Sequence, residues 1–474
     1  MAKQRTRLLR SSHAVEQALK LQRQGRAQAP LQLERFDEAL MSFDKALAST
    51  PNNVIILVGR GNALTRLKRP AEALLNYDRA LALNPDHVEA LTGRGTALFR
   101  MGRLDDALAS FDQALRIEPK AVATHVNRGN VCLALARIDE ALASYREAIA
   151  VDPENTEAHF GAALVKLCLG DFREGWKQYE YRWKKKEFAT PANGLPRWRG
   201  DQELHGKTIL LIAEQGFGDV IQFVRYAPLV AACGAKVLVG VHSSLTDLVA
   251  TVPGISQVLG EDEALPDVDL YCPLLSLPLA FGTELTTIPA KVPYIRPYEE
   301  RVAKWRNRLP QNGRLRVGVC WSGTDRHSNN RHRSLTLDRF TTILSVPGVD
   351  FVSLQREIEQ SETAILSDYA VTELGHEFDD FADTAAVVSM LDLVISVDTS
   401  VAHLAGAMAK AVAVLIPFSP DFRWLLDRTD SPWYPTMRLF RQTAIGDWSD
   451  PLDRLRKELS GVAAQRQSAA TAPV

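Results

Sequence analysis

The stretch ALLNYDRALALNP, residues 73–85, decides the fold of the first third of the chain. It holds an alanine, an aromatic residue, a second alanine and a proline. The same four residue types occur in four copies with identical spacing, of which this stretch is the second. A glycine stands at a constant distance before the second, third and fourth copies. A fixed period of this kind indicates one repeated supersecondary unit. The repeated positions are Ala39, Phe43, Ala46, Pro51; Ala73, Tyr77, Ala80, Pro85; Ala107, Phe111, Ala114, Pro119; Ala141, Tyr145, Ala148, Pro153; and Gly61, Gly95, Gly129.

This pattern resembles the tetratricopeptide repeat (TPR), a helical hairpin of about 34 residues that stacks into a solenoid. Small residues allow two helices to pack closely, the aromatic ring fills the space between neighbouring repeats, and proline ends the second helix. We therefore predict an α-solenoid over residues 13–183. Its first repeat is irregular around Pro30, and its fifth has Gly175 in place of the alanine. Such an array is expected to bind a protein or peptide partner in its groove.

The composition excludes several classes of protein. A net charge of −1 argues against a general nucleic-acid binder. The basic segment 1–10 is followed by no apolar region and no run of 18 apolar residues exists, so neither a secretory signal nor a membrane span is predicted. Five cysteines without a C-x-x-C pair suit free thiols in a reducing compartment, and we predict a cytoplasmic protein.

Two segments connect the array to the remainder of the chain. Four aromatic residues crowd positions 176–183, and we interpret them as a cap that packs against the next domain or, alternatively, as a surface that stacks on a ligand. Residues 184–206 begin with three lysines and continue with prolines and glycines, which predicts a linker or docking loop. The lysines fit either a solvated face or a site for a polyanion. The aromatic residues are Trp176, Tyr179, Tyr181 and Trp183.

From residue 207 onward, short apolar runs alternate with helical segments, which indicates parallel sheets. Prolines punctuate residues 289–297, and a second alternating series begins at Leu315. We therefore predict an α + α/β protein, a TPR α-solenoid followed by two Rossmann-like lobes over 207–297 and 298–459 with a cleft between them. Residues 460–474 are rich in alanine, serine and glutamine and are predicted to be a disordered tail.

The first candidate site follows the first strand of the first lobe. Gly216, Phe217, Gly218 and Asp219 stand where ligands bind in such sheets, and the glycines would let backbone approach a ligand closely. Asp219 could face the cleft as a base, or it could be the N-cap of the next helix. The two interpretations compete, because a capping carboxylate has a lowered pKa and is a weaker base. A third glycine of the dinucleotide fingerprint is absent, so NAD binding is not expected.

The second candidate site follows the predicted strand 391–397. Thr399 and Ser400 would lie at a helix N-terminus, where backbone N–H groups and hydroxyls suit a phosphate. His403 falls one turn further along and could donate to a phosphate oxygen or a sugar hydroxyl. The alternative is that Asp398 caps this helix and His403 is an ordinary helix histidine.

The third candidate site follows the predicted strand 315–320. Ser322 and Gly323 lie in a small-residue loop that leads into several cations, among them Arg331 and Arg333. Such a loop could bind a diphosphate, or it could be a solvated basic loop. Cys320 lies in an apolar run and is predicted to be a core residue rather than a nucleophile.

Three strings together resemble glycosyltransferase family 9, the heptosyltransferase family, as it occurs in bacterial proteins that also carry TPR repeats. They are AEQGFGDVIQF at 213–223, DTSVAHLAG at 398–406 and DSPWYP at 430–435. The resemblance extends over residues 33–459. It implies a GT-B architecture with the acceptor in the first lobe and a nucleotide diphosphate sugar in the second. It also implies an inverting transfer without metal or any cofactor beyond the donor.

The resemblance also implies roles for individual residues. Asp219 matches the aspartate that acts as general base, and Asp398, Thr399 and His403 match the donor motif. A cation after the first strand of the second lobe contacts the donor phosphates in this family, and Arg331 and Arg333 are both candidates for it. Ser400 replaces the glycine of the donor motif. Because a side chain stands where donor and backbone would come close, ADP-heptose is not assumed as the donor.

Two functions are consistent with these observations. The first is a TPR glycosyltransferase, in which Asp219 removes the acceptor proton and the array recruits the acceptor. The second is an interaction scaffold whose glycosyltransferase-like part is not catalytic. A cleft in which Asp219 faces Asp398, Thr399 and His403 would favour the first.

Overall fold

A computed structural model describes residues 32–184, 194–323 and 330–471, and for positions 32–35, 331, 332 and 469–471 the backbone alone. The chain divides into two compact units, Met1–Val165 and Lys166–Val474. The irregular start of the first repeat, with Pro30, lies outside the described residues, as do the last two lysines of the lysine run. The predicted array extended to residue 183, whereas the first compact unit ends at Val165.

The first unit consists of antiparallel helix pairs, as the period of the repeat predicts. In each pair the second helix ends just before the proline of the repeat. The helices that begin in this unit are Gln32–Ser49, Val54–Arg66, Pro70–Leu83, Val88–Arg100, Leu104–Ile117, Val122–Ala134, Ile138–Val151 and Thr156–Cys168.

Each repeated aromatic ring lies against at least one glycine of a first helix, and the two tyrosines lie against glycines of two successive first helices. A β-carbon added at Gly61 would lie 2.7 Å from the ring of Tyr77, and one added at Gly93 would lie 2.4 Å from the same ring. Tyr145 is held in the same way between Gly129 and Gly161. These distances are shorter than carbon atoms tolerate, so glycine is required at these positions beside the tyrosine rings. The prediction of a TPR solenoid is confirmed.

A ladder of ion pairs connects successive repeats through the residue before each periodic glycine. Arg94 donates to Asp78 of the preceding repeat at 2.7 Å and to Ser110 of the following helix at 2.7 Å. Arg60 and Arg128 make the equivalent contacts with Asp44 and Asp112. One arginine therefore ties three helices together, which helps to fix the stacking of a solenoid that has contacts only between neighbours.

The aromatic segment belongs to the second unit. In the helix Phe172–Tyr179, Trp176 packs edge to face on Phe223 and Phe422, with ring centroids 6.0 and 5.6 Å away. Trp176 and Tyr179 are buried. The interpretation of these two rings as a surface for ligand stacking is therefore wrong, because apolar side chains of the unit already cover them. They act as a cap on the α/β part of the chain.

Two parallel sheets form the remainder of the second unit, which confirms the predicted α/β class. The strands are β1 Thr208–Ile212, β2 Lys236–Gly240, β3 Ile255–Leu259, β4 Leu270–Pro273, β5 Leu315–Cys320, β6 Val349–Ser353, β7 Thr372–Glu373, β8 Leu393–Val397, β9 Val412–Ile416 and β10 Met437–Arg441. The first sheet has the order β3-β2-β1-β4 and the second the order β10-β9-β8-β5-β6-β7.

Helices cover both sheets, and their apolar faces build the cores. The core of the second sheet includes Trp321, Phe340 and Leu415, which are fully buried. The helices of this unit are Phe172–Tyr179, Phe217–Phe223, Ala227–Ala232, Thr246–Ala250, Leu277–Ala280, Glu299–Arg306, Asn330–Arg333, Leu337–Leu344, Gln360–Asp368, Phe381–Ser389, Ser400–Ala407 and Ser449–Thr471.

The C-terminal segment differs from its prediction as a disordered tail over 460–474. The last helix runs from Ser449 to Thr471, and Ala463 is buried in the core of the second sheet. Its alanines and glutamines are good helix formers, and the helix is anchored by apolar side chains nearer its start. The richness in alanine, serine and glutamine led to the wrong prediction for residues up to 471.

The order of the strands locates the places where ligands bind in sheets of this kind. The order reverses between β1 and β4 in the first sheet and between β5 and β8 in the second. Ligands bind outside the carboxyl ends of strands at such a reversal. The three candidate segments follow β1, β5 and β8, so all of them lie at a reversal point.

Candidate functional site

Asp219 lies in the first turn of the helix Phe217–Phe223 and is not its N-cap. The capping residue is Gly216, which has extended backbone angles and no side chain to offer. The interpretation of Asp219 as a cap is therefore wrong. The carboxylate instead forms an ion pair with Arg423, which follows β9 in the second lobe. Burial raises the pKa of Asp219, while the Arg423 guanidinium acts in the opposite direction.

The segment after β8 adopts the helix start that its sequence predicts. Thr399 is the N-cap of the helix Ser400–Ala407, so Asp398 is not the cap. The Thr399 hydroxyl lies 2.9 Å from the Ser396 hydroxyl. Burial and the neighbouring Asp421 carboxylate raise the pKa of Asp398 to about 6. Asp398 is therefore available for another role, and its charge depends on pH near neutrality.

His403 lies one turn into this helix and is buried. Its Nδ1 is 3.0 Å from the Tyr434 hydroxyl, and its Nε2 is 3.8 Å from Asp398 Oδ1. The ring stacks on Trp424 with centroids 5.3 Å apart. Burial lowers the pKa of His403 well below 6.5, so the imidazole is neutral at pH 7. If the Tyr434 hydroxyl donates to Nδ1, then Nε2 carries the hydrogen and can donate to a ligand.

The two motifs meet at Gly218. A β-carbon added there would lie 2.9 Å from His403 Cδ2 and 3.6 Å from the Cα of Ser400. Any side chain at position 218 would displace the histidine, so the glycine is required by the close approach of two segments that are distant in sequence. The first and second candidate sites are therefore parts of one site, with Asp219, Asp398 and His403 around it.

The third candidate segment joins the same site through Arg333. Its Nη1 donates to the backbone carbonyl of Asp398 at 2.8 Å, and a β-carbon on Gly323 would lie 2.5 Å from Nη2. Nε of Arg333 meets no acceptor among the described residues. Of the two candidate cations, Arg333 thus lies in the site, whereas the side chain of Arg331 lies outside the described part of the chain.

The small residues of this segment have structural partners. The Ser322 hydroxyl accepts from Gln355 Nε2 at 3.0 Å, and the Gly323 N–H donates to the Ser334 hydroxyl at 3.0 Å. Cys320 is buried beneath them, and burial raises the pKa of its thiol. A thiol with a raised pKa is a poor nucleophile, which agrees with its prediction as a core residue.

Sequence reasoning missed Arg423 and Asp421. They lie in the segment after β9, and Arg423 donates to Asp421 Oδ1 at 2.7 Å and to Gln222 Oε1 at 2.7 Å as well as to Asp219. The available signal was their position after a buried strand, at the same edge of the sheet as Asp398. No motif pointed to them, because an aspartate and an arginine two residues apart are common in loops.

A second group of buried charges lies beneath the loop that carries Asp219. Arg182 is fully buried and donates to Glu214 at 2.8 Å, to Glu180 at 2.7 Å and to the Ser276 hydroxyl at 2.7 Å. Glu214 directly precedes the candidate loop, and Ser276 follows β4. Arg182 therefore occupies the reversal point of the first sheet.

Glu214 gives the second unit a pH dependence that can be measured. Burial raises its pKa to about 7 from an ordinary value of 4.5 despite the opposing effect of Arg182, and Oε2 has no partner among the described residues. Because the folded state binds this proton more tightly, the free energy of unfolding falls as pH rises from about 4.5 to 7. The loss amounts to about 3 kcal/mol.

We expect Glu214→Gln to remove most of this loss, because glutamine has no carboxyl proton to release. All eight tryptophans lie at or beyond position 176, so tryptophan fluorescence during denaturation at pH 5 and pH 7.5 monitors the second unit alone. Glu284→Gln, at an exposed ion pair with Arg173, is the control and should keep the parental slope. An unchanged slope in Glu214→Gln would mean that the glutamate is ionised throughout this range.

Residues 32–184, 194–323 and 330–471 contain neither a metal-binding cluster nor a membrane-spanning helix. No group of three or more histidine, cysteine, aspartate or glutamate side chains is arranged there to hold a metal ion. Within those same ranges, each helix is either too short or too polar to cross a bilayer.

Family models match the first part of the chain. One described as "Tetratricopeptide repeat" matches residues 24–76 and 69–122, and one described as "TPR repeat" matches residues 129–170. These matches confirm the repeats independently of their spacing.

One curated relative extends beyond the repeats. The chain is 28% identical over 334 residues to the protein FlbA of Caulobacter vibrioides. The aligned region covers 63% of this chain and 54% of FlbA, so the chain spans about half the length of that relative.

Solved structures of other TPR proteins are similar over slightly more than a third of the chain. A TPR protein from Thermus thermophilus is 23% identical with a TM-score of 0.33, covering 37% of this chain and 91% of its own. PilW, a type IV pilus biogenesis factor, is 21% identical with a TM-score of 0.33, covering 38% of this chain and 79% of its own.

Proposed function

We propose that the second unit is a GT-B-type glycosyltransferase that moves a sugar from a nucleotide diphosphate sugar to an acceptor hydroxyl. The observation that carries this proposal is the meeting of the two motif segments at Gly218, where a β-carbon would lie 2.9 Å from His403 Cδ2. Segments that follow strands of two separate sheets thereby bring Asp219, Asp398 and Arg333 to one place. The reversal points of both sheets border the same site, so one substrate can bind against each sheet.

The chemistry follows from the residues at this place. Asp219 accepts the proton of the acceptor hydroxyl while the oxygen of that hydroxyl attacks the anomeric carbon of the donor sugar. The bond between that carbon and the phosphate oxygen breaks, and the nucleoside diphosphate leaves with the electron pair. Burial raises the pKa of Asp219, which makes it a stronger base than an exposed aspartate. The start of the helix Ser400–Ala407, His403 and Arg333 stabilise the charge on the leaving diphosphate.

The TPR array supplies the acceptor in this proposal. Its repeats stack without interruption from Gln32 onward, which provides a continuous surface for a protein or peptide. Protein partners are the usual ligands of such arrays, so a scaffold role is supported by the repeats themselves. Recruitment of an acceptor protein would combine that role with the chemistry of the second unit.

One observation favours a second candidate, a scaffold without catalysis. Asp219 is engaged by Arg423 in an ion pair, and Asp398 and Asp421 add further negative charge nearby. A carboxylate held by a guanidinium is unavailable to an acceptor hydroxyl unless the pair opens. The scaffold therefore becomes the better account if no nucleotide binds.

Nucleotide binding tests the proposal. We expect UDP, GDP or ADP, or a sugar derivative of one of them, to stabilise the second unit. A ligand at 100 times its Kd should add about 2.7 kcal/mol to the free energy of unfolding. Tryptophan fluorescence during thermal denaturation follows this unit selectively, since the first unit has no tryptophan. Absence of any stabilisation at millimolar nucleotide, together with no heat of binding in calorimetry, would remove the enzyme proposal and leave the scaffold.

A further inference from the structure

Arg423 belongs to neither of the two motif segments that meet at Gly218. It is buried at the meeting of the two lobes, and its guanidinium lies over the ring of Phe422 at 4.3 Å. Its three nitrogens are all used, Nε by Gln222, Nη1 by Asp421 and Nη2 by Asp219. The guanidinium is thus held rigidly with its fork directed at two carboxylates.

The two carboxylate partners of Arg423 belong to different lobes, and this difference determines which of them a ligand can replace. Asp421 is two residues away in the same segment, so this contact moves with Arg423. Asp219 belongs to the other lobe and is 204 residues away in sequence. Asp219 is therefore the partner that a ligand between the lobes would replace, and Asp421 the partner that would stay in place.

We propose that Arg423 binds the diphosphate of the donor, and that in the free protein it holds Asp219 in an ion pair that donor binding opens. This inference rests on the proposed function and adds a regulatory step to it. A phosphate oxygen takes the place of the Asp219 carboxylate on the guanidinium, and the carboxylate is released to face the acceptor hydroxyl. The base is therefore available only when the donor is bound.

Three observations support the exchange. A guanidinium N–H donates to a phosphate oxygen as well as to a carboxylate oxygen, so a phosphate can replace Asp219 on Nη2 without a change of the Arg423 rotamer. Arg333 Nε, with no acceptor among the described residues, provides a second donor in the same site. The Asp219 carboxylate keeps a partner after separation from Arg423, because a hydrogen bond from the backbone of Gly216 also favours its ionised form.

Binding of inorganic pyrophosphate and of UDP, GDP and ADP to four proteins tests the exchange. The proteins are the parent, Asp219→Asn, Arg423→Gln and the double variant, each in the full chain. Since asparagine carries no charge, Asp219→Asn should release Arg423 and bind the diphosphate about tenfold more tightly. Arg423→Gln should bind at least about tenfold more weakly, and the double variant should bind as weakly as Arg423→Gln.

The double variant separates exchange from simple charge removal. If Asp219 merely repels the ligand, its replacement should improve affinity equally with and without Arg423, and that result would overturn the inference. Unchanged or weaker binding by Asp219→Asn would overturn it as well. If the parent binds nucleotide and Arg423→Gln binds equally well, the proposed function stands and this inference fails. If no variant binds any probe, both fail.

Two further sets of variants keep the experiment interpretable. Arg438→Gln and Glu458→Gln alter an exposed arginine–glutamate pair of the same lobe and should leave affinity unchanged. Arg423→Lys keeps the charge if Arg423→Gln does not fold, but it loses the separate N–H groups that hold Gln222 and Asp421, so its affinity should fall between those of the parent and the glutamine variant. Affinity of the lysine variant equal to the parent would contradict the role of the guanidinium fork.

Discussion

Asp219→Asn is expected to reduce sugar transfer by about 10²- to 10⁴-fold while nucleotide binding persists. Asparagine has nearly the size of aspartate but cannot accept the proton of the acceptor hydroxyl. The measurement is the rate of transfer with saturating donor, made on the same preparation as the denaturation curve. A parental rate in a folded Asp219→Asn protein would show that the base lies elsewhere.

The ion pair between Asp219 and Arg423 determines how much Asp219→Asn is expected to lower the free energy of unfolding. Removing one partner of a buried pair typically costs about 3–5 kcal/mol, because the other charge is left uncompensated. Arg423 retains Asp421 and Gln222 after the substitution, and burial disfavours the charged form of Asp219 in any case. We therefore expect a loss of only about 1 kcal/mol, small enough that a lost rate cannot be attributed to unfolding.

Asp421→Asn is the matched control for the rate. It removes the other carboxylate partner of the same arginine, but Asp421 lies in the second lobe on the same segment as Arg423 and is partly exposed. We expect transfer to fall by less than about tenfold, since the general base is intact. Equal losses in both variants would indicate that the charge balance around Arg423, rather than proton transfer, controls the rate.

Local patterns in the sequence were sufficient to predict the TPR solenoid and the parallel sheets that follow it. The period of the repeat places each aromatic ring over a glycine, and the structure shows Tyr77 between Gly61 and Gly93 for this reason. Apolar runs after residue 207 correctly indicated β1, β5 and β9, because strands buried on both faces are continuously apolar. The position of the candidate segments after strand ends could be predicted from the same rule.

The contacts that complete the site could not be predicted in this way. Asp219 and Arg423 are 204 residues apart, and no periodicity or motif connects them. The same holds for Arg182 and Glu214, whose pairing depends on where the short helix Glu180–Lys184 lies in the folded unit. The sequence also left open whether Asp219 and Asp398 cap their helices, and the N-caps are instead Gly216 and Thr399. Long-range packing determined each of these outcomes.

Arg182→Ala is expected to lower the free energy of unfolding of the second unit by about 3–5 kcal/mol. The guanidinium is fully buried and lies between Glu214 and Glu180 at the reversal point of the first sheet. Without it, Glu214 would lose its cationic partner in an interior where the carboxylate is already disfavoured. An alanine would also leave a cavity beneath the loop that carries Asp219.

Tryptophan fluorescence and far-ultraviolet circular dichroism together test this prediction. Fluorescence reports the second unit alone, whereas circular dichroism reports both units, so the transition of the TPR array should stay at the parental position. Arg173→Ala, at an exposed ion pair with Glu284, should change the free energy of unfolding by less than about 0.5 kcal/mol. Adding Glu214→Gln to Arg182→Ala should restore part of the loss, because it removes the carboxylate that was left unpaired. No recovery would mean that the cavity and the lost hydrogen bonds to Ser276 and Tyr179, rather than the buried charge, account for the role of Arg182.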